Sequence, residues 1–209
     1  MTKVIAFSLW GENPKYTIGA IRNAELAKKI YPDWEVWMYV SEDVPKNILD
    51  ELISLNCNVL NMGEGNWNGM FWRFKPAASS DIIMISRDTD SRLSYREKAA
   101  VDEWLTSDKD FHIMRDHPYH ATEILGGMWG ARNGILSGIK EMMASYDKGD
   151  FDNKWQVDQN FLKEIIYPII KDKATVHDEY FERKPFPVNR INAQDFVGQC
   201  YDENEIAQF

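Results

Sequence analysis

Apolar residues open the chain as a short run, Val4–Leu9, which stops at the turn-forming Gly11-Glu12-Asn13-Pro14. Tyr16–Ile30 then sets Ile18, Ile21, Ala24, Leu26, Ala27 and Ile30 at roughly helical spacing, which predicts an amphipathic helix. Trp34–Val40 returns to strand alternation, with Val36, Met38 and Val40 on one face. Pro45–Leu55 reads as a helix, Asn58–Leu60 as a third short strand, and Met70–Ala78 as a helix interrupted at Pro76. Asp81–Ser86 is a strand whose Ile82-Ile83-Met84-Ile85 core is apolar on both faces. Farther on, Ser94-Tyr95-Arg96-Glu97 has the capping-box form and starts a helix through about Leu105. Phe111–Met114 is another strand, and Gly126-Gly127-Met128-Trp129-Gly130 is a glycine-rich turn or a bulged strand. Ile135–Tyr146 and Trp155–Ile166 read as amphipathic helices, and the polar tail from Lys184 is expected to wrap the surface.

This alternation predicts an α/β fold with a mostly parallel central sheet flanked by helices. No repeat, low-complexity stretch or linker divides the chain, so residues 1–209 are expected to form a single domain. Ligands of such sheets bind at the carboxyl ends of the strands. Two ligand segments follow from that rule: Ser8–Gly11 after the first strand, and Arg87–Arg92 after the strand Asp81–Ser86.

Composition narrows the function classes. The 209 residues are 44% hydrophobic and 27% charged, an ordinary globular balance. The net charge of −9 and the lack of a basic tract disfavour nucleic acid as a partner. The opening apolar run is too short for a signal peptide or a membrane span. Cys57 and Cys200 match no metal-ligand spacing, and a reduced, cytoplasmic setting is the simpler expectation. Eight tryptophans lean mildly toward a carbohydrate site, which uses flat aromatic faces.

The sharpest chemical signal is Asp88-Thr89-Asp90. On an extended segment residues i and i+2 point the same way, so two carboxylates would converge. A hard divalent cation, Mn2+ or Mg2+, resolves their repulsion and keeps coordination positions for phosphate oxygens. Such a cation would neutralise charge growing on a departing diphosphate. Arg87, Arg92 or Arg73 could add a direct phosphate contact. A solvated turn is the bland alternative for this triplet.

Taken jointly, several stretches resemble the GT-A (Rossmann-like) glycosyltransferases. They are Phe7-Ser8-Leu9-Trp10-Gly11, Phe71-Trp72-Arg73-Phe74-Lys75-Pro76, Ser86-Arg87-Asp88-Thr89-Asp90-Ser91-Arg92, His112-Ile113-Met114-Arg115-Asp116-His117-Pro118, Gly126-Gly127-Met128-Trp129-Gly130 and Trp155-Gln156-Val157-Asp158-Gln159. Within that family the likeness is to a group of bacterial and large-virus enzymes, and to the N-terminal glycosyltransferase domain of a chlorovirus protein in which further domains follow. The resemblance implies transfer of a sugar, of hexosyltransferase type, from a UDP-sugar to a glycan or glycoprotein acceptor. It implies host cytoplasm as the setting if the chain is viral. It carries over Asp88 and Asp90 as the metal motif, with His177 as the late histidine that completes the metal shell. Arg183 or Lys184 would match the family's downstream basic residues loosely.

Asp158 is the candidate catalytic carboxylate. On a helix its neighbours at −3, +3, +4 and +7 are Trp155, Phe161, Leu162 and Ile165, and an acid on an apolar face is costly without a partner or a task. It would be the base of an inverting enzyme; in a retaining one, Asp158 or Gln159 would sit beside the anomeric carbon. The alternative is a carboxylate bonded to amides in the first helical turn. The nucleotide-sugar set expected beside it comprises Ser8, Leu9, Trp10, Gly11, Tyr16, Arg73, Arg87, Asp88, Thr89, Asp90, Asp116, Gly127, Met128, Trp129 and Gln159. Within that set, Asp116 serves either donor hydroxyls or the turn before Pro118, and Trp10 and Tyr16 either stack a base or pack the core. His117 and His120 are three apart, but Pro118 argues against the helix a shared metal would need. Two rival functions stand. A sugar-phosphate nucleotidyltransferase would open with a glycine-rich basic loop, which Ser8-Leu9-Trp10-Gly11 is not. A carbohydrate-binding module would bind sugar without metal or nucleotide.

Overall fold

The structure, a computed structural model, describes residues 1–146 and 156–208. Seven strands form one sheet in the order β3-β2-β1-β4-β6-β5-β7. They are β1 Thr2–Leu9, β2 Glu35–Val40, β3 Asn58–Asn61, β4 Ile82–Ser86, β5 Phe111–Arg115, β6 Trp129–Ala131 and β7 Ala174–Asp178. Only β6 runs against its neighbours, pairing antiparallel with β4 and β5. The other pairings are parallel, as the alternating pattern requires.

The inner strands β1 and β4 are mostly apolar on both faces because both faces are covered. Along β1, Ile5, Phe7 and Leu9 point into a core under the helices α1 Pro14–Ile30, α2 Lys46–Ser54 and α3 Tyr95–Thr106, while Val4 and Ala6 point into the opposite core. The opposite core lies under the segment Trp67–Ala78, α4 Ile139–Ser145 and the helical run α5 Val157–Phe161, Leu162–Ile166 and α6 Tyr167–Ile170. Trp67–Ala78 is wound at three residues per turn instead of as the α-helix expected from Met70, and the Arg73 N–H leaves the helical ladder to donate to Ser8 Oγ at 3.1 Å.

Capping follows the sequence. Asn13 Oδ1 accepts the Lys15 N–H ahead of Pro14 in α1, and Ser94 Oγ accepts the Glu97 N–H at the start of α3. Only half of the capping box forms, because the Glu97 carboxylate turns inward to Arg87 and Tyr31. The helix expected over 135–146 is helical only at Ile139–Ser145, a correction. The glycine-rich stretch takes the turn form of its two readings and leads into β6. Residues 174–178 form β7, an edge strand the pattern did not reveal. Trp155 lies outside the described residues. The tail does more than wrap: Phe186 and Val197 are buried against Met114 and Met128, and Tyr201 N donates to Asp90 O at 2.8 Å. No helix among the described residues is long and apolar enough to cross a membrane.

Candidate active site

β4 delivers the acidic motif to the carboxyl edge of the sheet, and the chain turns there at once. Ser91 Oγ donates to Asp88 O at 3.0 Å, so Asp88–Ser91 is a turn and not the extended segment expected. The two carboxylates therefore take separate partners: Asp88 pairs with Arg73, and Asp90 pairs with Lys15 Nζ at 2.9 Å. The Asp88 side chain is 42% exposed and that of Asp90 is 16% exposed. The Cys200 thiol, pushed up to about 12 by burial and then by Asp90 and Asp88, stays neutral beside them.

Helix α1 holds this turn from below. Asn23 Nδ2 donates to Thr89 O at 3.2 Å and Ser91 O at 2.8 Å, and Asn23 Oδ1 accepts from Leu93 N at 3.0 Å. Gly19 lets the helix lie directly on the turn: a Cβ there would meet Thr89 O at 2.1 Å. From above, the backbone of Gly126 and Gly127 closes over the site. A Cβ on Gly127 would stand 2.0 Å from Asp88 Oδ2, and one on Gly126 would stand 2.5 Å from both Arg73 Nη2 and Asp158 Oδ2. Ser86 Oγ pins that loop by donating to Gly126 O at 2.7 Å.

Asp158 enters from the first turn of α5. It is 3% exposed, and Arg73 Nη2 donates to its Oδ2 at 2.8 Å while its Oδ1 accepts the Gln159 N–H at 2.9 Å. Burial raises the affinity of this carboxylate for a proton, with Arg73 opposing and Asp88 adding to the rise. Arg73 thus joins the acidic motif to the candidate base. At the β1 end, Gly11 has φ +71° and donates to Asp43 Oδ1 at 2.9 Å. Trp10 packs against Gly69, where a Cβ would come within 2.8 Å of its ring. Tyr16 packs half-buried beside the acidic turn, its phenol raised by burial and by Asp90.

Other expected residues are placed elsewhere. Arg87 turns into the core under α3, with Nε on Glu97 Oε1 at 2.9 Å, and is 2% exposed, so it offers no phosphate contact. Ser8 is committed to Arg73 N, and the side chains of Leu9, Met128 and Trp129 are core. Thr89 contributes its carbonyl to Asn23 and is buried. Asp116 is fully buried between Arg96, Arg190 and the Val197 N–H, a structural carboxylate that ties the tail to β5. His177, three strands from β4, sets Nδ1 against His112 Nε2 at 2.9 Å and Nε2 3.6 Å from Glu103, so the structure does not bring it to the acidic pair. His117 and His120 each accept a backbone N–H, from Tyr119 and Asp116.

Among the described residues no group of three or more His, Cys, Asp or Glu side chains forms a cage. Asp88 and Asp90 would enter the open kind of site, in which one or two carboxylates hold Mg2+ or Mn2+ and diphosphate and water oxygens complete the shell, only by exchanging Arg73 and Lys15 for the cation. Sequence reasoning missed Gly19, Asn23 and Asp43. An asparagine on the buried side of an otherwise apolar helical face was the available signal for Asn23.

No protein-family profile and no curated protein matches the sequence. Solved structures do. The fold is that of the GT-A enzymes. Glucosyl-3-phosphoglycerate synthase of Mycobacterium tuberculosis superposes over 93% of this chain and 74% of its own, with a TM-score of 0.52 at 14% identity. Its complex with Mn2+, UDP-glucose and phosphoglyceric acid matches over 84% of this chain and 68% of its own, with a TM-score of 0.51 at 15% identity. A 4-diphosphocytidyl-2C-methyl-D-erythritol synthase of Anaerococcus prevotii covers 90% of this chain and 91% of its own, with a TM-score of 0.52 at 8% identity. At these identities the likeness shows the fold alone.

Proposed function

We propose that this chain is a metal-dependent glycosyltransferase of hexosyl type that moves a sugar from a nucleotide diphosphate donor, a UDP-sugar, to a hydroxyl of a glycan or glycoprotein. The observation that carries the reading is the Asp88–Arg73–Asp158 array at the carboxyl edge of the sheet, closed over by Gly126 and Gly127. Asp88 and Asp90 would hold Mn2+ or Mg2+, which supplies electrostatic stabilisation of the diphosphate leaving group. Tyr16, which lies beside Asp90, and the Trp10-Gly11 segment that follows β1 would receive the nucleoside. Asp158, a buried carboxylate with a raised proton affinity, would take the proton of the acceptor hydroxyl if the reaction inverts. Both cysteines are free thiols, which suits action in the cytoplasm.

Calorimetry with UDP, with and without Mn2+, tests this. UDP should bind in the presence of Mn2+ and lose most of its affinity in Asp90→Ala. No UDP binding with Mn2+ present would refute the UDP form of the proposal. The fold similarity to a cytidylyl-transferring enzyme keeps the nucleotidyltransferase reading in view. Pyrophosphate release from a nucleoside triphosphate and a sugar phosphate would favour that rival.

A further inference from the structure

Burial closes Arg73 to a phosphate. It is 6% exposed, Nη1 serves Asp88 and the Arg87 carbonyl, Nη2 serves Asp158, and Nε is buried with no partner among the described residues. Its backbone is fixed to β1 through Ser8 Oγ, and its guanidinium lies 5.5 Å from the Phe74 ring centroid. The Gly126 backbone seals the Arg73–Asp158 side of this array, whereas Asp88 opens toward solvent. One forked cation thus neutralises two carboxylates of different roles.

Resting on the metal reading above, we infer that Arg73 is an internal latch: it occupies Asp88 in the donor-free protein and is given over wholly to Asp158 when Asp88 exchanges it for the cation of a loaded donor. Its place in the reaction is that of a positioning residue. Donor loading at Asp88 and the setting of Asp158 become one event, because a single guanidinium is shared between the two carboxylates, Nη1 on Asp88 and Nη2 on Asp158. The latch reverses the sign expected of a phosphate-binding arginine. Removing Arg73 unmasks Asp88, so the cation alone binds more tightly, while Asp158 loses its orienting partner and turnover falls.

The test is Mn2+ titration of the full chain by electron paramagnetic resonance, without and with UDP, in wild type, Arg73→Gln and Asp90→Ala, with transfer kinetics on the same samples. Arg73→Gln should bind Mn2+ roughly tenfold more tightly, the worth of one charge-assisted contact. UDP affinity at saturating Mn2+ should stay within about twofold, because Arg73 makes no phosphate contact. The kcat should fall roughly a hundredfold while the donor KM changes little, a split that a loosened fold alone would not produce. Equal or weaker Mn2+ binding by Arg73→Gln, or loss of UDP binding at saturating Mn2+, overturns the latch while wild-type Mn2+–UDP binding leaves the functional proposal standing. If neither wild type nor Arg73→Gln takes Mn2+ with UDP present, the metal reading falls and the latch with it. Where Arg73→Gln does not fold, Arg73→Lys keeps the buried charge without the fork. A gain of about threefold in Mn2+ affinity then supports the latch, and no gain overturns it.

Discussion

At Gly127 a single added carbon decides whether the acidic motif can keep its shape. The Cβ of an alanine would fall 2.0 Å from Asp88 Oδ2, and the backbone of Asp88 is itself only 3.0 Å from that point, so the carboxylate must rotate away. Gly127→Ala should therefore weaken Mn2+-dependent UDP binding at least tenfold while most of the fold stays intact; circular dichroism and calorimetry on one preparation check both halves. Unchanged affinity would show that Asp88 has room the packing denies. Asp158 presents the converse case, a group whose charge matters and whose volume does not. Asp158→Asn preserves size and can still meet Arg73, so donor binding should persist while transfer slows by about 10²–10⁴, the usual worth of a positioned base. Transfer at the wild-type rate would remove Asp158 from the chemistry.

Among the elements, α1 does more than cover the sheet. Its Gly19–Asn23 step makes the helix a template for the acidic turn, because one amide side chain satisfies Thr89 O, Ser91 O and Leu93 N. Asn23→Ala strands those buried groups and should cost about 2–4 kcal/mol in chemical denaturation, and donor affinity should fall with it. A loss under about 0.5 kcal/mol would mean the turn holds itself. The sequence made α1, β1, β2, β4 and α3 legible because their apolar residues keep to a helical or strand period and are buried against the cores, and β3 was legible as a short apolar pair between turns. β7 was not legible: Ala-Thr-Val-His-Asp is a half-polar edge segment without a strand pattern of its own. The antiparallel direction of β6 depends on the long return from β5, which no local signal records. The same limit explains the site. Position after a strand placed Asp88 and Asp90 at the carboxyl edge of the sheet, where β4 ends, but alternation sends Arg87 to the opposite face from Asp88, toward Glu97. Asp116 and His177 sit near that same edge and are consumed by partners, Arg96 and Arg190 for one and His112 for the other, that lie far from them in sequence.

Over the whole molecule, the right-hand half of the sheet is knit by buried polar groups that must hold one protonation state. Arg96–Asp116–Arg190 and Arg115–Asp178 tie the tail and β7 to β5. Three histidines sit among these cations as neutral rings. Burial and then His117 push His120 down to about 4, burial and then His177 and Arg87 push His112 well below the ordinary range, and burial lowers His177 against the pull of Glu103. A histidine whose folded affinity for protons is depressed costs nothing while both states are neutral. As pH falls below about 6.5 the unfolded chain gains protons that the folded chain refuses, so stability drops. For His120 the loss should run from about pH 6.5 to about 4 and reach on the order of 2–3 kcal/mol. Asp178, held below the ordinary carboxylate range by backbone amides and Arg115 despite burial, adds a second loss only at still lower pH, when it must be protonated. Urea denaturation at pH 7.5, 5.5 and 4.5 should therefore show a decline that begins above the carboxylate range. His120→Gln keeps an acceptor for the Asp116 N–H and removes one of the three titrations, so it should shallow the pH 6.5–4.5 part of the curve by His120's share, with His112 and His177 supplying the rest, and leave the more acidic part unchanged. A curve that stays level down to pH 4.5 in the wild type would mean that these rings are solvated enough to take protons in the folded state.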